Sequence, residues 1–231
     1  MEMRRILSHL NQLWTTDIAL TALLFSLLIY IFFLYPLGQV GSFRPLTTLF
    51  FSLILISGAI MVSRNRIFRM LVFSWGILTF IFLWGRHLFP HQTLIFVANC
   101  LGLFFLVLLT SLILGQALRE GSTTYHRIMG AVAAYLLIGM IWSEAYYLIT
   151  LWIPRAFIIQ GSSIPGGGES LQSQLFYFSF VTLTTLGYGD IVAIHPIARM
   201  LVIVEGVVGM LFPVILIARL VSLHVQSKQK T

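Results

Sequence analysis

From Gln92 to Leu118 the chain carries no charged residue, and this one run excludes most of what 231 residues could otherwise fold into. A helix needs about 20 apolar residues to cross the hydrocarbon core of a bilayer, and this run is long enough. It is not alone. Uncharged runs extend from Ile18 to Phe43, from Pro45 to Ser63 and from Met70 to Gly85, while the apolar span from Ile128 to about Trp152 holds one charged residue and that from Pro196 to about Val225 holds three. Charged residues make up 9% of the chain, against about 25% in soluble domains. The composition reads as an all-α integral membrane protein with six transmembrane helices. The net charge of +7 is then a matter of placement and no sign of nucleic-acid binding. The single cysteine, Cys100, lies inside an apolar run and reads as a small core residue.

A seventh apolar segment, Leu175 to Leu183, is too short to cross. It runs into Thr184-Thr185-Leu186-Gly187-Tyr188-Gly189-Asp190, and such a segment has to enter the membrane and leave on the same side. Non-helical backbone at that depth is tolerated only when buried in protein or lining water. The spacing therefore predicts a descending helix followed by an extended rising strand. Gly187 and Gly189 alternate with bulkier residues, so every second position can take positive φ without a Cβ penalty. That alternation turns successive carbonyls to one side, where they can replace the hydration shell of a cation.

The stretch TTLGYGD resembles the signature of the tetrameric potassium-channel pore family, usually written TVGYGD. The resemblance implies a re-entrant pore helix and selectivity filter between helices 5 and 6. It implies stacked K+ sites made by the carbonyls of Thr185, Leu186, Gly187 and Tyr188 with the Thr185 hydroxyl, supported by Thr184, Gly189 and Asp190. Tyr188 would point away from the ions and brace the strand, and Asp190 would cap its outer end. Leu186 stands where valine is commonest, which leaves the carbonyl chemistry unchanged. Gap-free alignment puts Tyr177 and Phe178 at the two aromatic positions that cuff the filter, with Tyr177 able to reach Asp190. Val181 takes a place where some members have a glutamate. One chain supplies one strand, so a pore needs a homotetramer.

GxGD also resembles the motif of intramembrane aspartyl proteases, which need two membrane-embedded aspartates. The chain has only Asp17 and Asp190, which the topology below places on opposite sides, so no enzyme activity is expected. Six spans with one re-entrant segment put both termini on one side. That side collects Arg4, Arg5, Arg64, Arg66, Arg69, Arg119, Arg127, Arg219, Lys228 and Lys230; the other has Arg44, Arg86, Arg155 and Arg199. Cationic residues concentrate in cytoplasmic loops, so both termini are expected in the cytoplasm of a multi-pass protein of the plasma (cell inner) membrane. The first run follows Arg4 and Arg5 but exceeds a signal-peptide core and reads as an uncleaved helix.

Residues 1–118 are expected to form a four-helix scaffold, 119–225 the pore domain, and 226–231 a short tail with no regulatory domain. Between Arg155 and Gln174 glycine, serine and proline predominate, which predicts a solvated turret loop. The pore helix is expected to start near Leu171 to Ser173, with Ser170 or Ser173 as cap. It should end near Thr184 and aim its C-terminal carbonyls at a cavity cation. Gly209 matches the family's inner-helix hinge, and Pro213 removes a helical hydrogen bond; close packing of small residues is the other reading of both. Met210, Pro213 and Ile217 share a face suited to lining a cavity, and Ala218 and Val221 suit a cytoplasmic constriction. Glu205 and Glu144 are intramembrane acids, read as buried polar contacts or as a pH-dependent gate. His87 and His91 could share a helix face, but two ligands without a carboxylate or cysteine make a poor metal site.

The expected function is passive potassium conduction, with a weakly selective monovalent cation channel as the alternative. The only partners expected are other copies of the chain, the bilayer and K+, and no cofactor is expected. Six spans with a pore loop resemble the voltage-gated architecture, where the fourth helix carries an arginine array; here that helix has none, and without gating charges a helix does no electrical work. Voltage steps applied to the reconstituted protein should therefore give no steep conductance change, and a steep gating current would contradict the assignment.

Overall fold

In a computed structural model of the chain, residues 20–34, 66–88, 91–118, 125–159, 162–163 and 169–228 are described. They are mostly helical. Helix α1 is an apolar segment, Leu20–Phe33, that finishes in a π-helical turn, Tyr30–Leu34. It is followed by α2 (Arg66–Leu88), α3 (Gln92–Ala117) and α4 (Tyr125–Trp152). Strands β1 (Phe157–Ile159) and β2 (Ser162–Ser163) precede α5 (Glu169–Leu183); β3 (Ile191–Ala193) and α6 (Pro196–Lys228) complete the order.

Three of these helices contain stretches long and apolar enough to cross a membrane: Gln92–Ala117, Arg127–Trp152 and Pro196–Arg219. The apolar parts of α1 and α2, Leu20–Phe33 and Ser74–Gly85, are shorter. The run expected at Pro45–Ser63 lies outside the described residues, as do Arg4, Arg5, Asp17, Arg64 and the tail beyond residue 228.

The apolar faces close two cores. One joins Leu23 and Leu27 of α1, Phe105 and Leu109 of α3, and Leu137 of α4. The other gathers Tyr146 and Tyr147 of α4, Phe157 of β1, Leu175 and Phe178 of α5, and Ile191 of β3. Helix α4 thus serves both, its first half facing the scaffold and its second half facing α5. Gly139 lies at the crossing, where a Cβ would come within 2.9 Å of the Phe180 ring. Tyr146, Phe157 and Phe178 form a triangle of rings with centroids 5.3, 5.5 and 5.4 Å apart, within the range of favourable aromatic contacts.

The turret contains a sheet that its composition did not predict. Strand β1 lies between β2 and β3, antiparallel to both. Ile158 is opposite Ser163 on one side and Val192 on the other. Glycine, serine and proline disfavour strands, but Phe157-Ile158-Ile159 is a β-forming island with a partner more than thirty positions away. The start of α5 also differs. The helix begins at Glu169, so Ser170 and Ser173 lie inside it and Ser173 is buried; neither is the cap.

Phe157 is almost fully buried whereas Ile158 is half-buried. Phe157→Ala should therefore cost about 3–5 kcal/mol, as emptying an aromatic core site does, and Ile158→Ala clearly less. Thermal unfolding in detergent checks the order, and equal effects would contradict it.

Candidate functional site

The site begins where α5 stops. A helix leaves its last four carbonyls without helical donors, and here every one finds a partner. Phe180 O accepts from Thr184 N at 3.0 Å and from the Thr184 hydroxyl at 2.6 Å. Val181 O accepts from both Leu186 N at 3.0 Å and Gly187 N at 3.3 Å. Thr182 O accepts from Thr185 N at 2.9 Å, and Leu183 O from the Tyr135 hydroxyl of α4 at 3.1 Å. Free carbonyls expected at this helix end are thus occupied, and the macrodipole is what remains to attract a cation.

Beyond this turn the backbone alternates in hand. Thr185, Gly187 and Gly189 have φ of 59°, 56° and 77°. Glycine adopts such values freely, whereas a β-branched threonine does so rarely. The sequence pointed to the two glycines; Thr185 was not legible, because its intrinsic preference runs the other way. Thr184, Thr185, Leu186, Gly187, Tyr188 and Gly189 are all exposed, Leu186 at 58% and Tyr188 at 66%.

Asp190 ends the stretch. Its Oδ1 accepts from Ile191 N at 3.1 Å, and the Tyr177 hydroxyl of α5 stands near its carboxylate. Of the two aromatic residues, Tyr177 is exposed and lies on the strand side, while Phe178 is buried in the ring triangle. The chain leaves the site through β3, fixed from the far side by Arg199 Nε donating to Ala193 O at 3.0 Å. Ile194 N and His195 N both reach Ala156 O, at 2.9 and 3.3 Å.

Between the strand, α5, β3 and α6 lies a cleft of about 720 Å³ lined by Thr185, Gly187 and Tyr188 on one side and Gly206, Val207 and Met210 on the other. Gly209 is buried, and a Cβ there would fall 2.0 Å from Leu183 O. Its missing side chain is what lets α6 meet the end of α5. That favours the close-packing reading, although Pro213, four residues on and within the helix, also leaves Gly209 O without its helical donor. Met210, Ile217, Ala218 and Val221 are exposed.

The two acids serve as polar contacts between helices. Glu144 Oε1 accepts from Gln172 Nε2 of α5 at 2.8 Å. Glu205 is completely buried: its Oε2 accepts from the Tyr146 hydroxyl, and its Oε1 lies 2.6 Å from Ser179 Oγ. That Oγ is also 2.7 Å from Gly139 O. Ser179, Tyr146 and Tyr135 were not singled out in the sequence; Ser179, polar amid an apolar run, was the one visible signal. No group of three metal-ligating residues exists among the described residues.

A family model described as an ion channel matches residues 134–226. Over that stretch the chain is similar to ion channels. The matched segment begins in α4 and contains residues 184–190, and the long apolar helices give the protein the character of an integral membrane protein. No curated protein and no solved structure matches the chain.

Because a methyl group at Gly209 meets backbone and not a flexible side chain, Gly209→Ala should lower the thermal midpoint in detergent by several degrees, the scale of about 1–2 kcal/mol. Gly115→Ala, with nothing within 4 Å, should leave it unchanged or raise it. Indistinguishable variants would contradict the contact.

Proposed function

We propose that the protein is a potassium-selective channel in which four copies surround one pore, and that residues 185–189 are its filter. The observation that carries this reading is the alternation of positive φ at Thr185, Gly187 and Gly189 directly after a helix whose end carbonyls are all satisfied. A strand of alternating hand can turn successive carbonyls to one side, and a ring of four such strands offers the oxygens that replace a potassium ion's water. In this reading the ions meet the carbonyls of Thr185, Leu186, Gly187 and Tyr188 and the Thr185 hydroxyl. Thr184, Gly189, Asp190, Tyr177 and Phe178 hold the strand.

Helix α5 has 15 residues, short of the ~20 that a crossing needs, and is the re-entrant pore helix between the fifth and sixth of six spans. Both termini are cytoplasmic, and the filter faces outward across the plasma (cell inner) membrane. The need for further copies is supported by exposure: α6 is 11% buried along its apolar window, against 44% for α3 and for α4. The exposed side of Tyr188 and the open cleft are where a neighbouring copy packs. Pro213, which leaves the Gly209 carbonyl without its helical donor, is the pliable point of α6, and Ala218 and Val221 form its cytoplasmic constriction. With no charge on α3, voltage is not the principal stimulus.

Liposomes holding the purified protein, given first a potassium and then a sodium gradient, test the reading. Potassium flux should greatly exceed sodium flux, and Gly187→Ala should abolish the flux or the preference. Equal fluxes would favour a weakly selective monovalent cation channel. Normal selective flux in Gly187→Ala would remove the filter assignment.

A further inference from the structure

The hydrogen-bond geometry around Glu205 contains one more oxygen–oxygen contact than the hydroxyl protons of its neighbours can fill. Ser179 has a single hydroxyl proton, yet its Oγ lies 2.7 Å from Gly139 O and 2.6 Å from Glu205 Oε1. A backbone carbonyl only accepts. If Ser179 gave its proton to the carboxyl, two oxygen lone pairs would face each other at the Gly139 contact. If it gives the proton to Gly139 O, the 2.6 Å contact needs a proton from the other side. Tyr146 uses its own proton on Oε2, so only the carboxyl is left to supply it.

We infer that Glu205 is held as a neutral carboxylic acid that donates to Ser179, and that it acts as a positioning residue fixing the pore helix behind the filter strand. The chain of bonds runs from Tyr146 on α4 through Glu205 on α6 to Ser179 on α5 and back to Gly139 on α4. It closes a ring through three helices. Val181, whose carbonyl holds Leu186 N and Gly187 N, lies two residues beyond Ser179, so a shift of α5 at Ser179 moves the start of the strand.

The surroundings agree with a neutral group. Glu205 is completely buried, and no lysine, arginine or histidine is paired with it among the described residues. The titratable groups facing it are the phenols of Tyr146 and Tyr135, both on α4; α5 offers the Ser179 hydroxyl. A buried carboxylate without a cation is strongly disfavoured, whereas a fully bonded acid is an ordinary buried polar group.

Infrared difference spectra of full-length wild type against Glu205→Gln at neutral pH test the protonation state without any reference to conduction. The wild type should show a protonated carboxylic C=O band, shifted in heavy water and missing from the variant. Loss of carboxylate bands alone would overturn the inference. The positioning role rests on the channel reading and is tested by flux. Glu205→Gln, which can both donate and accept, should keep the preference for potassium over sodium. Glu205→Ala and Ser179→Ala should each lower it about tenfold, the scale of one lost buried hydrogen bond. A Glu205→Gln protein as impaired as Glu205→Ala would overturn the role. Absence of flux in wild type would instead count against the channel reading and leave the infrared result to stand.

Discussion

Backbone that stops being helical inside a hydrocarbon layer has to find partners for its polar groups in protein or in water, and in the proposed channel the turn after α5 answers that constraint. The Val181 carbonyl takes two amides of the strand, and the Leu183 carbonyl takes a hydroxyl from α4 while resting against the bare backbone of Gly209. The helix end is therefore sealed on its own side, and the strand is launched with its next amides already spent. Residues 184–189 of the strand are all exposed. A stretch arranged in this way suits a place where water or an ion supplies the missing partner.

The strand is held at both ends and left bare in its middle. Its start hangs on α5, which the Tyr146–Phe157–Phe178 triangle and the bonds from Glu144 and Glu205 lock to its neighbours. Its exit passes Asp190 and joins β3, which pairs with the turret strand β1 and is tied to α6 by Arg199. A segment fixed at its ends and through its first amides keeps its φ alternation while its residues stay exposed. Thr185, in a conformation that costs a β-branched residue about 1–2 kcal/mol, persists because its amide bonds to Thr182 O on one side and the following amides to Val181 on the other. Backbone strain of this kind clusters where structure serves function.

Much of this was legible in the sequence because it is local. The charge-free run Gln92–Leu118 became a helix from Gln92 to Ala117, and the short apolar segment before TTLGYGD became a helix ending at Leu183. Gly187 and Gly189 took positive φ. What escaped was non-local. Glu205 meets Tyr146 across 59 positions and Ser179 across 26, and no spacing rule links them. The β1–β3 pairing hid in a turret rich in residues that disfavour strands. The α5 start was misjudged by a few residues because Ser170 and Ser173 suit a cap, yet burial of Ser173 decided otherwise. At Gly209 the sequence suits a hinge and a packing contact equally, and the approach to Leu183 O separates them.

In the proposed channel, residues 185–189 of several copies converge on one axis and hold bare cations there. Anomalous diffraction from crystals grown with thallium in place of potassium tests it most directly. A row of thallium peaks on a fourfold axis, level with the carbonyls of Thr185 to Tyr188, is the predicted result. Thallium absent from that axis, or Gly187 lying away from any symmetry axis, would contradict it.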